Sequence, residues 1–224
     1  MTTAVLSPST FDPPPSEPGA PAWAVALLFP PQGQWTEDEY LALEQRSRRL
    51  VELSDGQIEV LPMPNPVHQR IAGYLYRLLQ ACVAALGSGE VFFAPLPIRL
   101  WAGKYRDPDV VFLKPGRISD PRRQPEGADL AVEVVSEEEE DRQRDLITKR
   151  REYARAGIAE YWIVDPKAEM VLVLVLDGAA YRVHGEFPRG TTATSLLLPT
   201  FAAEVTAVFD AGLGRGEFRE HTSE

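Results

Sequence analysis

Two short apolar runs constrain this chain more than any other feature. Pro108-Asp109 leads straight into VVFL at 110–113, and LAVEVV at 130–135 carries Glu133 in its middle. Short apolar runs bounded by turn residues describe strands covered on both faces. A carboxylate buried in such a strand is costly unless a cation or a metal accompanies it. Spacing alone leaves two solutions open. Glu133 can point outward on an edge strand while Asp109 caps the turn before its own strand. Alternatively, adjacent strands bring both carboxylates to one divalent cation. Mg²⁺ takes one or two carboxylates and keeps its remaining positions for water and phosphate oxygens.

The segments around these runs alternate. Thr36 and Glu39 have the spacing of a capping box and open a helix expected to reach about Arg49. Asp55-Gly56 sits between two extended runs, as in a β-hairpin. From Val67 to Leu86, Ile71, Leu75, Leu78, Cys82 and Leu86 recur at helical spacing, and Gly87 is placed to cap the end. Extended segments are expected at 91–93, 97–101, 110–113 and 130–135. A helix follows over 141–156, then a strand at 160–164. A hairpin crosses Asp177-Gly178, and a short helix lies near 203–209. Helices alternating with buried strands, flanked by hairpins, imply an α/β arrangement of the α+β type: a mixed central sheet with helices on its faces.

With 224 residues, one domain with two tails is expected. Residues 1–34 are rich in Pro, Ser, Thr and Ala and form a disordered or loosely docked arm. The domain spans 35–210, and 211–224 is a polar tail. The first basic residue is Arg46, so the basic start of a signal peptide is missing. The apolar run at 22–29 is too short to cross a bilayer. A lone cysteine, Cys82, in an apolar helical run fits a buried thiol in a reducing compartment. A cytoplasmic protein without membrane contact is expected.

The helix after Glu133 supplies the third candidate. Leu146, Ile147, Arg150 and Tyr153 share one face, and Lys149 lies at its edge, one turn from Asp145. Asp145–Lys149 is either a surface pair or one that turns the ammonium toward the two carboxylates. In the second case Lys149 would orient an attacking water and offset charge on a phosphate. The formal charge of −10 excludes a broad basic surface as the means of holding DNA. Nucleic-acid contact would need a local cluster drawn from Arg99, Lys104, Arg106, Arg142, Arg144, Arg150 and Arg151.

Several stretches, in order, make a resemblance specific. They are RLVELSDGQIEVLPMPNPVHQRIAGYL, VFFAPLPIRL, PDVVFL, DLAVEVVS and DLITKRREYARAGIAEYWIVDP. Together they resemble the Uma2 family (DUF820) of restriction-endonuclease-like proteins, in the PD-(D/E)XK nuclease superfamily. The resemblance covers roughly residues 35–209.

The resemblance implies an endonuclease that hydrolyses nucleic-acid phosphodiester bonds, DNA first, using Mg²⁺ or Mn²⁺. It makes Asp109 and Glu133 the motif carboxylates. The usual motif Lys position is Val135 here, and its role passes to Lys149. The Val134 carbonyl becomes a further metal ligand. Glu52 completes the acidic cluster, and His68 falls on a family position. His68 and Arg106 are the expected substrate contacts. A homodimer is compatible, through a patch near Trp101 or through the arm.

One departure stands out: Ser136 is followed by Glu137, Glu138, Glu139, Glu140 and Asp141. This acidic run would repel a duplex near the cleft. It motivates two alternatives, a non-catalytic binding or regulatory module that keeps the fold, and a phosphodiesterase acting on RNA or small nucleotides.

Overall fold

The structure, a computed structural model, describes residues 29–136, 138 and 142–215. The expected arm up to residue 28, most of the acidic run and the tail from 216 lie outside the described residues.

Helix α1 (Glu37–Glu44) starts at the expected capping box: Thr36 Oγ1 accepts from the Glu39 amide, and Glu39 reaches back to the Thr36 amide. It ends five residues before Arg49. Strands β1 (Val51–Ser54) and β2 (Gln57–Val60) form the hairpin, with Asp55 and Gly56 both at positive φ. Gly56 is required there, because a Cβ would meet the Gly33 backbone at 2.7 Å.

Helix α2 (Pro66–Leu86) is capped by Asn65 and ends in left-handed Gly87. Its buried residues are Ile71, Ala72, Leu75, Leu79 and Val83, whereas Leu86 is exposed. The inward stripe is therefore rotated from the expected one, and Cys82 is half-buried beside Thr200.

Strands β3 (Glu90–Phe93), β4 (Ile98–Trp101), β5 (Lys104–Arg106), β6 (Val110–Leu113) and β7 (Leu130–Val134) follow. The next helix opens with one wide π turn, Arg144–Thr148, in which the Lys149 amide donates to the Arg144 carbonyl. It continues as α3 (Lys149–Arg155). Strands β8 (Glu160–Asp165), β9 (Met170–Asp177) and β10 (Ala180–Pro188) come next. Strands β11 (Thr192–Thr194) and β12 (Ala202–Glu204) and helix α4 (Val205–Gly212) close the chain.

Six strands form the main sheet in the order β10-β9-β8-β7-β6-β3. Only β7 and β8 are parallel, and the π turn with α3 makes the crossover between them. A second sheet, β2-β1-β5-β4, is antiparallel.

Period-two alternation divides the main sheet's faces. Val110, Phe112, Leu130, Val132, Val134, Trp162 and Val164 pack with α2 and α4. Val111, Leu113, Ala131, Val135, Tyr161 and Ile163 pack on the α3 side. By the same alternation, Glu133 shares the α3 side with Ala131 and Val135. β7 lies between β6 and β8, so the edge-strand alternative for Glu133 does not hold. No helix among the described residues is long and apolar enough to cross a membrane. Trp101, expected in an open patch, lies under the Arg155 guanidinium at 4.1 Å.

Candidate active site

The last residue before β6 and the middle of β7 meet at one cleft of about 240 Å³. Its lining includes His68, Asp107, Asp109, Glu133, Val134, Asp145 and Lys149. The β6–β7 pairing sets the two carboxylates on neighbouring strands. Asp109 Oδ2 accepts from the Val134 amide at 2.7 Å and faces His68 Nε2 at 3.2 Å. Glu133 Oε1 accepts from Lys149 at 2.8 Å and from the Tyr153 hydroxyl at 2.6 Å. Both bonds fall on Oε1, which leaves Oε2 to the cleft.

The π turn makes this possible. It presents Asp145, Lys149 and Tyr153 to the sheet, all buried. Lys149 Nζ lies 3.4 Å from Asp145 Oδ1, so this pair is internal and the surface alternative does not hold. Ile147 is exposed and Arg150 half-buried, against the expected apolar face.

The charge balance is lopsided. Glu52, Asp107, Glu133 and Asp145 are all buried, with Asp109 beside them. Burial pushes Glu133 up to about 8, with Lys149 pulling it back and Asp145 and Asp109 adding to the rise. Burial likewise raises Asp107 to about 7, and Asp145 is raised too. The same surroundings hold Lys149 above the usual lysine range: burial opposes its charge, and Glu133, Glu52 and Asp145 outweigh that. The His68 imidazole is also raised, Asp109 overcoming burial.

Asp145 Oδ1 is buried without a hydrogen bond and faces only the cations Lys149 Nζ at 3.4 Å and Arg144 Nε at 3.6 Å. A contrasting carboxylate lies on the opposite face of β8. Glu160 is just as buried, but it accepts from Trp162 Nε1 and from the amides of Leu196 and Leu197. Glu160 is saturated by donors, whereas the cleft carboxylates are short of them. That deficit is what a divalent cation would make good.

Among the described residues, no three His, Cys, Asp or Glu side chains are gathered tightly enough to cage a metal by themselves. A hard cation held here would need water and substrate oxygens beside the Asp109 and Glu133 carboxylates that line the cleft.

Two expected site residues are placed differently. Arg106 is only 1 % exposed and is spent on carboxylates, bonding Glu52 and Glu59 at 2.6 Å each and Glu152 at 2.7 Å. It ties β5 to β1, β2 and the crossover helix, and its donors are turned to these carboxylates. Glu52 is fully buried behind the cleft. It accepts from Arg106 and from the Asp107 amide, and lies 3.6 Å from Lys149. Burial alone would raise it, but Lys149 and Arg106 hold it at about 2. It therefore positions Lys149 and does not line the cleft.

Of the seven residues expected in a basic cluster, Arg144 lines the cleft, and three besides Arg106 are taken up by carboxylates. Arg99 pairs with Glu37, Lys104 with Glu152, and Arg142 with Asp165.

Sequence reasoning missed Asp107, Asp145 and Tyr153. The spacing of Asp145, Lys149 and Tyr153 at successive fours was the available signal for two of them. Asp107 gave none, because its place depends on a hydrogen bond from the Leu96 amide across a loop.

A family model named Uma2 and described as "Putative restriction endonuclease" matches residues 37–206. A solved structure from Anabaena variabilis, described as "a putative nuclease belonging to DUF820", is similar in fold. Its TM-score is 0.64 at 18 % identity, over 79 % of this chain and 98 % of that one. No curated protein matches.

Proposed function

Since this chain belongs to the Uma2 family, we propose that it is a metal-dependent nuclease that hydrolyses phosphodiester bonds of nucleic acid at the Asp109–Glu133 cleft. The observation that carries this reading is the donor deficit: two carboxylates from adjacent strands share a cleft whose buried acids outnumber their cations. Asp109, Glu133 and the Val134 carbonyl would hold Mg²⁺ or Mn²⁺. When bound, the ion supplies a water of lowered pKa and neutralises phosphate charge.

The chain's own groups do the rest. Lys149 stays charged, is fixed by Glu52, Glu133 and Asp145, and presents its ammonium where phosphate charge would build. Tyr153 fixes the Glu133 rotamer from the other side. The Val134 amide and His68 do the same for Asp109. The description of the similar structure as "a putative nuclease" accords with the same reading. The protein would act in a reducing compartment, where its lone Cys82 stays a thiol.

Mn²⁺ titrated into the protein by calorimetry tests it. Binding should be stoichiometric in the wild type and lost in Asp109→Ala, with cleavage of a mixed nucleic-acid pool lost alongside. Equal binding by both proteins would place the ion elsewhere and end this assignment.

A further inference from the structure

A recess of about 350 Å³ opens beside the cleft and shares Asp109 and Gln69 with it. Its wall is Phe93, the last residue of β3, which is 58 % exposed. One side of the ring is supported by Tyr76, edge-on at 4.7 Å between centroids. β3 pairs with β6 so that Phe93 faces Val110, and the next amide, Ala94, donates to the Asp109 carbonyl. Phe93 therefore lies one register step from Asp109 on the neighbouring strand, and the exposed ring and Asp109 line the same recess.

Two further observations bear on what fits there. Gly73, in the middle of α2, lines the recess, and a Cβ added to it would meet nothing closer than 3.6 Å. Packing does not demand this poor helix former, and its bareness widens the recess. On the other side of the cleft the rim is apolar, with Leu50, Leu61 and strongly exposed Met63. Of the basic residues around the cleft, Arg99, Lys104, Arg106 and Arg142 are held in ion pairs with the chain's own carboxylates, while Arg144 lines the cleft and Arg77 lines the recess.

We propose that the Phe93–Tyr76 recess is a base-stacking subsite, and that the preferred substrate is therefore an unpaired strand whose base next to the scissile phosphate stacks on Phe93. This deepens the nuclease reading and rests on it. Within a duplex the faces of a base are already stacked, so only an unpaired or splayed base can use the ring. Affinity would then come from stacking more than from phosphate neutralisation, which accords with the formal charge of −10. Gln69, able to donate and accept, stands between recess and cleft to meet the base edge.

The experiment measures binding of a 2-aminopurine-labelled 12-mer by anisotropy, with Ca²⁺ in place of Mg²⁺. Its arms are single-stranded DNA, single-stranded RNA and the matching DNA duplex. The wild type should prefer a single strand to the duplex and should quench 2-aminopurine. The DNA and RNA arms identify which sugar the cleft accepts.

Phe93→Ala and Phe93→Leu should each weaken single-strand binding about tenfold and abolish quenching, whereas Phe93→Trp should keep both. Gly73→Leu should fill the recess and mimic Phe93→Ala while the fold melts normally. Unchanged affinity in Phe93→Ala, or tighter duplex binding by the wild type, would overturn the subsite. Mn²⁺ calorimetry on the same proteins separates the two failures. Metal bound with no effect of Phe93 ends the subsite alone, whereas no metal and no nucleic acid bound ends both.

Discussion

Lys149 donates to Glu133 Oε1 at 2.8 Å with both side chains shut away from solvent. The same ammonium lies 3.4 Å from Asp145 and 3.6 Å from Glu52. One cation thus serves three buried carboxylates that come from a strand of the main sheet, a strand of the second sheet and the crossover helix. This shared charge ties the two sheets together at the cleft.

Removing that cation is expected to cost far more than removing one acid. Lys149→Met takes the only ammonium from Glu133 and leaves Glu52 to Arg106 and Asp145 to Arg144, and should lower stability by about 3–5 kcal/mol. Glu133→Gln keeps the acceptor for Lys149 and Tyr153 and removes one charge from an acid-rich cluster. Its stability should match or exceed that of the wild type in the absence of metal. Both variants should lose cleavage. Urea denaturation checks the difference. A Lys149→Met protein as stable as the wild type would show that the ammonium is not what offsets the buried charge.

Asp109 separates folding from metal binding more cleanly. Asp109→Asn retains an oxygen for the Val134 amide and changes shape little. Stability should move by about 1 kcal/mol or less, while Mn²⁺ affinity falls below detection by calorimetry. Retained affinity would put the ion on Glu133 and Asp145 instead.

These placements show what the sequence could carry. The Asp109 and Glu133 strands were legible because strand alternation and turn residues act locally: a carboxylate in an apolar run announces itself. Thr36–Glu39 and Asn65–Gly87 fix their helices through hydrogen bonds within a few residues. The roles of Arg106 and Glu52 were not legible. Arg106 is committed by Glu59, on β2 at the far side of β1, and by Glu152, on α3. No local pattern records those long-range pairs.

The inward face of 144–155 was misread for a different reason. A straight 3.6-residue period favours Leu146 and Ile147, and the single π turn shifts it toward Asp145 and Lys149. Strands β5, β11 and β12 are three residues each and too short to show alternation.

Arg106 can be tested as a tie between sheets. Lysine cannot reach Glu52, Glu59 and Glu152 with one planar fork. Arg106→Lys should therefore destabilise by about 2–4 kcal/mol, while the Kd for nucleic acid measured well below its Tm stays that of the wild type. A weakened Kd with unchanged Tm would restore Arg106 as a substrate contact.

The pH dependence of stability can be read away from the cleft, at Asp129. Its carboxylate accepts from the Lys114 amide and from Arg117 Nε and Nη2 at 3.0–3.1 Å. Burial alone would raise its pKa, but Arg117 and the Lys114 amide outweigh burial and hold it below the usual aspartate value. A carboxylate depressed in the folded state stabilises above its unfolded pKa of about 3.9 and loses that contribution as pH falls through the folded value. Asp129→Asn lacks the contribution at every pH. The Tm gap between wild type and Asp129→Asn should therefore be widest above about pH 5 and close as pH drops toward 2. A gap that persists undiminished at the acid end would mean that the Asn variant loses packing or hydrogen bonds, with no part played by the Arg117 charge.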